Sequence, residues 1–170
     1  MAQLTTGTQA DEDQLRLLVG YLAAVGCPDR VMAQRGRAPH TGAFTTALGA
    51  AVSVPPREDW VGQARVAVAP QLGGSRAGGR NVRARLAAVL DARLLEGPLL
   101  GLVREEGVAY WAPSQRVVRA RVRRWVGRAA VGEREVEAGR VPEGARRRAE
   151  ETKGEVAFEM TRDDMLMDLQ

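Results

Sequence analysis

The 170-residue chain has no isoleucine, one lysine (Lys153), one asparagine (Asn81), one histidine (His40) and one cysteine (Cys27). A single cysteine excludes an intramolecular disulfide, and a single histidine excludes a multi-histidine metal site. Aromatic residues make up only 4% of the chain, and no stacking array of the kind that RNA-recognition sheets and single-strand binders use is visible. No apolar run approaches the roughly 18 residues that cross a bilayer. The opening stretch MAQLTTGTQADEDQ is polar and acidic, unlike a secretory signal. The expectation is a soluble, cytoplasmic protein.

Residues with A/T-rich codons are nearly absent, which points to a GC-rich bacterial or phage genome. Arginine supplies 24 of the 25 basic residues, so coding preference accounts for part of the pI near 10.1. Where acids are left out is a better guide. Residues 1–60 carry five basic and six acidic side chains, residues 61–131 thirteen and four, and residues 132–170 seven and eleven. A concentrated cationic stretch followed by an acidic tail fits a polyanion-binding face, or a tail that folds back over that face.

The organisation expected from the pattern is a leader over 1–10, one globular domain over 11–131, a charged linker with a short helix over 132–155, and an acidic Met/Leu-rich docking tail over 156–170. Leu15, Leu18, Leu22 and Val25 fall on one face of a helix that Gly26 and Pro28 close. Further helices are predicted from Pro28 to Gly36 and from Thr41 through Val52. ARVAVAP, residues 64–70, alternates like a strand. Asn81 is a plausible cap for a helix through Leu90, and LLGLVREEGVAYWAP reads as a hairpin turning at Glu105-Glu106-Gly107. In SQRVVRARVRRWVGR, residues 114–128, Val118, Val122, Trp125 and Val126 form the apolar stripe of a basic helix. The fold class expected is therefore α+β and mainly helical.

No motif names a reaction. GSRAGGRN, residues 74–81, has the glycine spacing of a phosphate-binding loop. It places Arg80 and Asn81 where the phosphate-reaching lysine and the magnesium-holding hydroxyl belong, so it reads as a loop ending in a helix cap. Cys27 and His40 carry no flanking nucleophile signature. The carboxylates at Asp11-Glu12-Asp13, Glu105-Glu106 and Asp163-Asp164 read as a helix start, a turn and a tail helix. A non-enzyme with no cofactor and no metal is expected.

The order helix, hairpin, basic helix over about residues 60–128 is similar to the helix–wing part of winged-helix domains. That resemblance implies duplex-DNA binding by a regulator or a phage or plasmid maintenance factor. The residues expected to hold phosphates are Arg76, Arg80, Arg83, Arg85, Arg116, Arg119, Arg121, Arg123, Arg124 and Arg128, because guanidinium forks suit phosphate oxygens. A homodimer suits a regulator of this size. The rival expectation is an assembly or adaptor protein in which the arginines bind acidic neighbours. There the tail, with Phe158, Met160, Met165, Leu166 and Leu169, docks on a protein partner or on the chain's own basic face.

Overall fold

The computed structural model describes residues 9–35, 42–55, 64–74 and 82–161. The chain divides into two compact units, Met1–Leu102 with Gly127–Ala129, and Val103–Val126 with Ala130–Gln170.

The first unit begins with α1 (Gln9–Gly26) and a 3-10 turn (Pro28–Arg30). The strands β1 (Val31–Gln34), β2 (Ala43–Thr46), β3 (Ala51–Ser53), β4 (Val66–Gly74) and β5 (Val82–Val89) follow. A short helix α2 (Ala92–Glu96) then starts at Asp91, whose carboxylate accepts a 2.8 Å bond from the Arg93 N–H. The five strands close into a barrel in the order β1-β2-β3-β5-β4. β3 and β5 run parallel, and every other neighbouring pair runs antiparallel. This strand order is that of the OB barrel. Alternation builds it: Met32, Phe44, Val52, Ala67, Ala69 and Ala84 point inward and are buried. Three of those six are alanine, which suits so narrow an interior.

The β4–β5 ladder is broken twice. Val68 pairs with Ala88 and Gln71 with Leu86, so β4 holds one extra residue beside Pro70, which has no N–H to give the ladder. Leu72 then pairs with Ala84, which leaves Arg85 as an extra residue on β5. Arg85 and Leu86 are accordingly both exposed.

The second unit is a four-stranded sheet in the order β8-β7-β6-β9, from β6 (Val103–Ala112), β7 (Val117–Val126), β8 (Ala129–Glu137) and β9 (Glu155–Glu159). Helix α3 (Glu143–Thr152) covers one face through Ala145 and Ala149. Beneath it lie Ala109, Val118, Ala120, Val122, Val136 and Met160.

The mainly helical expectation is overturned. Strands hold 47% of the described residues and helices 32%. The segment read as a basic helix is the strand β7, with Val118, Ala120 and Val122 buried in strict alternation. The helix expected after Asn81 is the strand β5, and the one expected after Thr41 is the β2–β3 hairpin. Glu105-Glu106-Gly107 is no turn but the middle of β6, and the turn lies at residues 113–116. With no recognition helix and no wing among the described residues, the winged-helix-like architecture falls with them. The expected strand at 64–70 does form, as β4. Residues 132–155 hold the end of β8, a 3-10 turn, α3 and the start of β9.

Candidate functional site

Three of the four arginines of β7 face away from α3, on the open side of the second unit's sheet. Arg119, Arg121 and Arg123 alternate with the buried residues there, and each meets a glutamate, Arg119 and Arg123 on the adjacent β8 and Arg121 across β6 on β9. Arg119 lies 3.5 Å from Glu135, Arg121 3.8 Å from Glu155, and Arg123 3.6 Å from Glu133. Arg104 pairs with Glu106 at 3.0 Å. Tyr110 donates its hydroxyl to Glu135, and Arg121 stacks 5.1 Å above the Tyr110 ring. The Tyr110 hydrogen bond holds Glu135 below the usual carboxylate range, and the same bond raises Tyr110. A shallow depression of about 570 Å³ lies on this face, lined by Glu106, Arg121, Arg123, Glu133, Glu155 and Glu159 among others. Cations and anions are interleaved across the whole of it.

Arg124 points the other way. It reaches the buried carboxylate of its cross-strand partner Glu105, with Nε 3.1 Å from Oε1, while Arg134 donates Nη2 to Oε2 at 2.9 Å. Glu105 is only 2% exposed. This triad is a structural tie between β6, β7 and β8. Arg116 lies in the β6–β7 turn and Arg128 in the turn after β7, both exposed. Of the tail residues, Phe158 lies over Gly107 in place of a side chain there, and Met160 is buried in the sheet's core. Met165, Leu166 and Leu169 lie outside the described residues, as do His40, Arg76 and Arg80.

The barrel differs in charge. From Trp60 to Leu90 the sequence has no acid, and from Arg30 to Arg57 it has none either. The register gathers the ends of three connections at one rim. Gln34 pairs with Phe44, Ala43 with Ser53, Ser53 with Arg83, and Gly74 with Val82. The connections leaving that rim are residues 35–42, 54–65 and 75–81. Their sequence carries Arg35, Arg37, Arg57, Arg65, Arg76 and Arg80 against two acids, Glu58 and Asp59. On the barrel wall the row Ala43, Ser53, Arg83, Gly73 crosses four adjacent strands, with small side chains beside the cation. The Ser53 hydroxyl donates to the Val82 carbonyl at 3.4 Å and ties β3 to β5. Arg83 and Arg85 are exposed, with no ion pair among the described residues. By formal count the first unit holds twelve basic and eight acidic residues, and the second thirteen of each. The chain's entire net charge of +4 therefore sits in the barrel unit.

A third surface lies on α1. Leu15, Leu18, Leu22 and Val25 do lie on one face of α1, but that face is 51–60% exposed and Val19 joins it at 47%. The helix packs on the barrel through its small residues instead. Gly20 and Ala24 are buried, and a Cβ on Gly20 would come within 2.8 Å of the Val89 carbonyl. Beside the helix runs a groove of about 850 Å³ that includes Leu15, Val19 and Val89. Cys27 is half-buried at the end of α1. Among the described residues no group of three metal-ligating side chains is found, and no helix is long and apolar enough to cross a membrane.

No protein-family description and no curated protein matches the chain. Solved structures do. The crystal structure of the E. coli DExH-box NTPase HrpB is similar with a TM-score of 0.55 and 20% identity over 78% of this chain. The crystal structure of the Escherichia coli DEAH/RHA helicase HrpB is similar with a TM-score of 0.50 and 19% identity over 80%. The similar region is 16% of each of those chains, and at this identity the likeness is one of fold.

Proposed function

We propose that this protein is a non-catalytic nucleic-acid-binding module whose OB-type barrel holds a strand by its phosphates. The observation that carries the reading is Arg83 and Arg85, exposed on the barrel wall within a sequence that has no acid from Arg30 to Arg57 or from Trp60 to Leu90, on a fold whose outer face and loops commonly bind oligonucleotides. The outward residues of β2 and β3 are Ala43, Thr45, Ala51 and Ser53, and the one aromatic residue of these two strands, Phe44, is inside. Bases have no ring there to stack on, so affinity rests on counterion release and tolerates any sequence. The likeness to part of two helicase chains supports a place for the module beside a helicase-type NTPase. The test is fluorescence anisotropy of a labelled oligothymidylate with the full chain across a salt series. A steep loss of affinity with salt is expected, and absence of binding at low salt would end this reading.

A second reading, protein assembly, is favoured by the α1 stripe. Leu15, Leu18, Leu22 and Val25 have the alternating three- and four-residue spacing of a helix-pairing seam, and a second copy of α1 supplies the matching helix. The acidic first turn, Asp11 and Glu12, favours antiparallel pairing, which keeps the two acidic ends apart. Sedimentation velocity is expected to find concentration-dependent dimers that Leu18→Glu/Leu22→Glu abolishes. A wild-type chain that stays monomeric at high concentration would rule this pairing out.

A further inference from the structure

We infer that Arg83 and Arg85 together clasp one backbone phosphate of the bound strand, and that Gly73 is the positioning residue that sets their geometry. The inference deepens the nucleic-acid reading and rests on it. Its basis is local. Arg83 is the cross-strand partner of Gly73, and Arg85 is the extra residue of the β5 bulge. A bulge re-aims the side chain it carries, and bulges collect at barrel rims and binding sites. Here the re-aimed Arg85 lies back across β4. A Cβ placed on Gly73 would stand 2.5 Å from Arg85 Nε and 3.2 Å from both Cδ and Cζ. The Nε end of the Arg85 side chain therefore occupies the space that a Cβ at position 73 would fill. Arg83 is thus paired with the residue that Arg85 covers, and neither arginine has an ion pair among the described residues.

The chemistry that fits is a phosphodiester. Two planar forks at neighbouring positions present N–H groups to several oxygens of one tetrahedral anion, which a single carboxylate of a protein partner would fill less completely. The neighbouring wall residues Ala43 and Ser53 are small, so a strand can lie close to the backbone without a steric barrier.

The test is a double-mutant cycle on the full chain with labelled oligothymidylate, each variant checked by circular dichroism and thermal midpoint. Gly73→Ala meets only the far end of a flexible side chain, so the barrel is expected to fold while Arg85 is displaced. Arg85→Gln and Gly73→Ala are each expected to weaken binding about tenfold and to lower the salt slope by about 1. The double variant is expected to be no weaker than Arg85→Gln alone. Arg85→Lys leaves Gly73 untouched and keeps the charge, and is expected to lose several-fold because the planar fork is gone. Wild-type affinity in Gly73→Ala, losses that multiply in the double variant, or full affinity in Arg85→Lys would each overturn the clasp while leaving the barrel reading intact. Failure of the wild-type chain to bind at low salt would overturn both.

Discussion

Glu105→Gln is expected to destabilise the second unit by about 3–5 kcal/mol, far more than the loss of any exposed ion pair on the same sheet. The carboxylate is 2% exposed and stands between the Arg124 and Arg134 guanidinia, at 3.1 and 2.9 Å. Glutamine has nearly the same shape, so packing is kept and the change isolates charge. Without the anion, two cations from adjacent strands are left on the core side of the sheet, Arg124 with a side chain only 14% exposed. Loss of one partner from an ion pair this desolvated then dominates. Trp111 and Trp125 both lie in this unit, so urea unfolding followed by tryptophan fluorescence reports on it. The midpoint is expected to fall by about 1 M or more. The paired change Glu105→Met/Arg124→Leu removes both charges and is expected to recover much of the loss, since Arg134 is 33% exposed and can turn to water. A loss below about 1 kcal/mol in Glu105→Gln would mean that the triad behaves as a surface pair.

The second large effect concerns binding, and it runs against a count of charges. Arg83→Gln/Arg85→Gln removes two cations and is expected to weaken binding of oligothymidylate about 100-fold at low salt. Arg119→Gln/Arg121→Gln/Arg123→Gln removes three and is expected to change it by less than about threefold. If only net charge mattered, the triple variant would be the weaker binder. The ranking reverses because of where the anions sit. On the open face of the second unit, Glu133, Glu135 and Glu155 already neighbour the β7 arginines, and a phosphate would have to displace them. Each exposed pair is weak, at about 0–1 kcal/mol, but the added glutamates also repel the incoming polyanion. The barrel wall has cations with no such competitors among the described residues. A triple variant that loses more affinity than the double would return the function to the arginine-rich strand.

That strand illustrates what the sequence made legible and what it hid. Val118 and Val122 stand four residues apart, a spacing in phase with both a helix and a strand. Ala120 between them and the run of β-branched residues were the strand's signature. Arg124 blurred the alternation, because it occupies a core-facing position. Its partner Glu105 lies nineteen residues earlier, and no local pattern announces such a pair. The glutamates that flank Arg119, Arg121 and Arg123 were likewise visible only as members of a supposed linker. In α1 the helix was legible and its orientation was not. Hydrophobic periodicity assumes that the largest apolar residues face inward, whereas Gly20 and Ala24 allow the close approach to the barrel that leucine would prevent. The strand at β4 was readable from its alternation of valine and alanine up to Pro70, although residues 66–69 are all buried. Of the candidate site, Arg83 and Arg85 were named from the sequence for the wrong element. The bulge that re-aims Arg85 depends on the register of two strands, which a single sequence does not reveal.

The most direct measurement is a ¹⁵N–¹H NMR titration of the full chain with unlabelled oligothymidylate, following backbone amides and arginine side-chain N–H groups together. Binding through the barrel is expected to shift Ser53, Gly73 and Gly74, Val82 to Leu86, and the Arg83 and Arg85 side chains, while β7 and β8 stay still. Shifts confined to Arg119, Arg121, Arg123 and their glutamate neighbours, or shifts spread evenly over every exposed arginine, would contradict a phosphate site on the barrel.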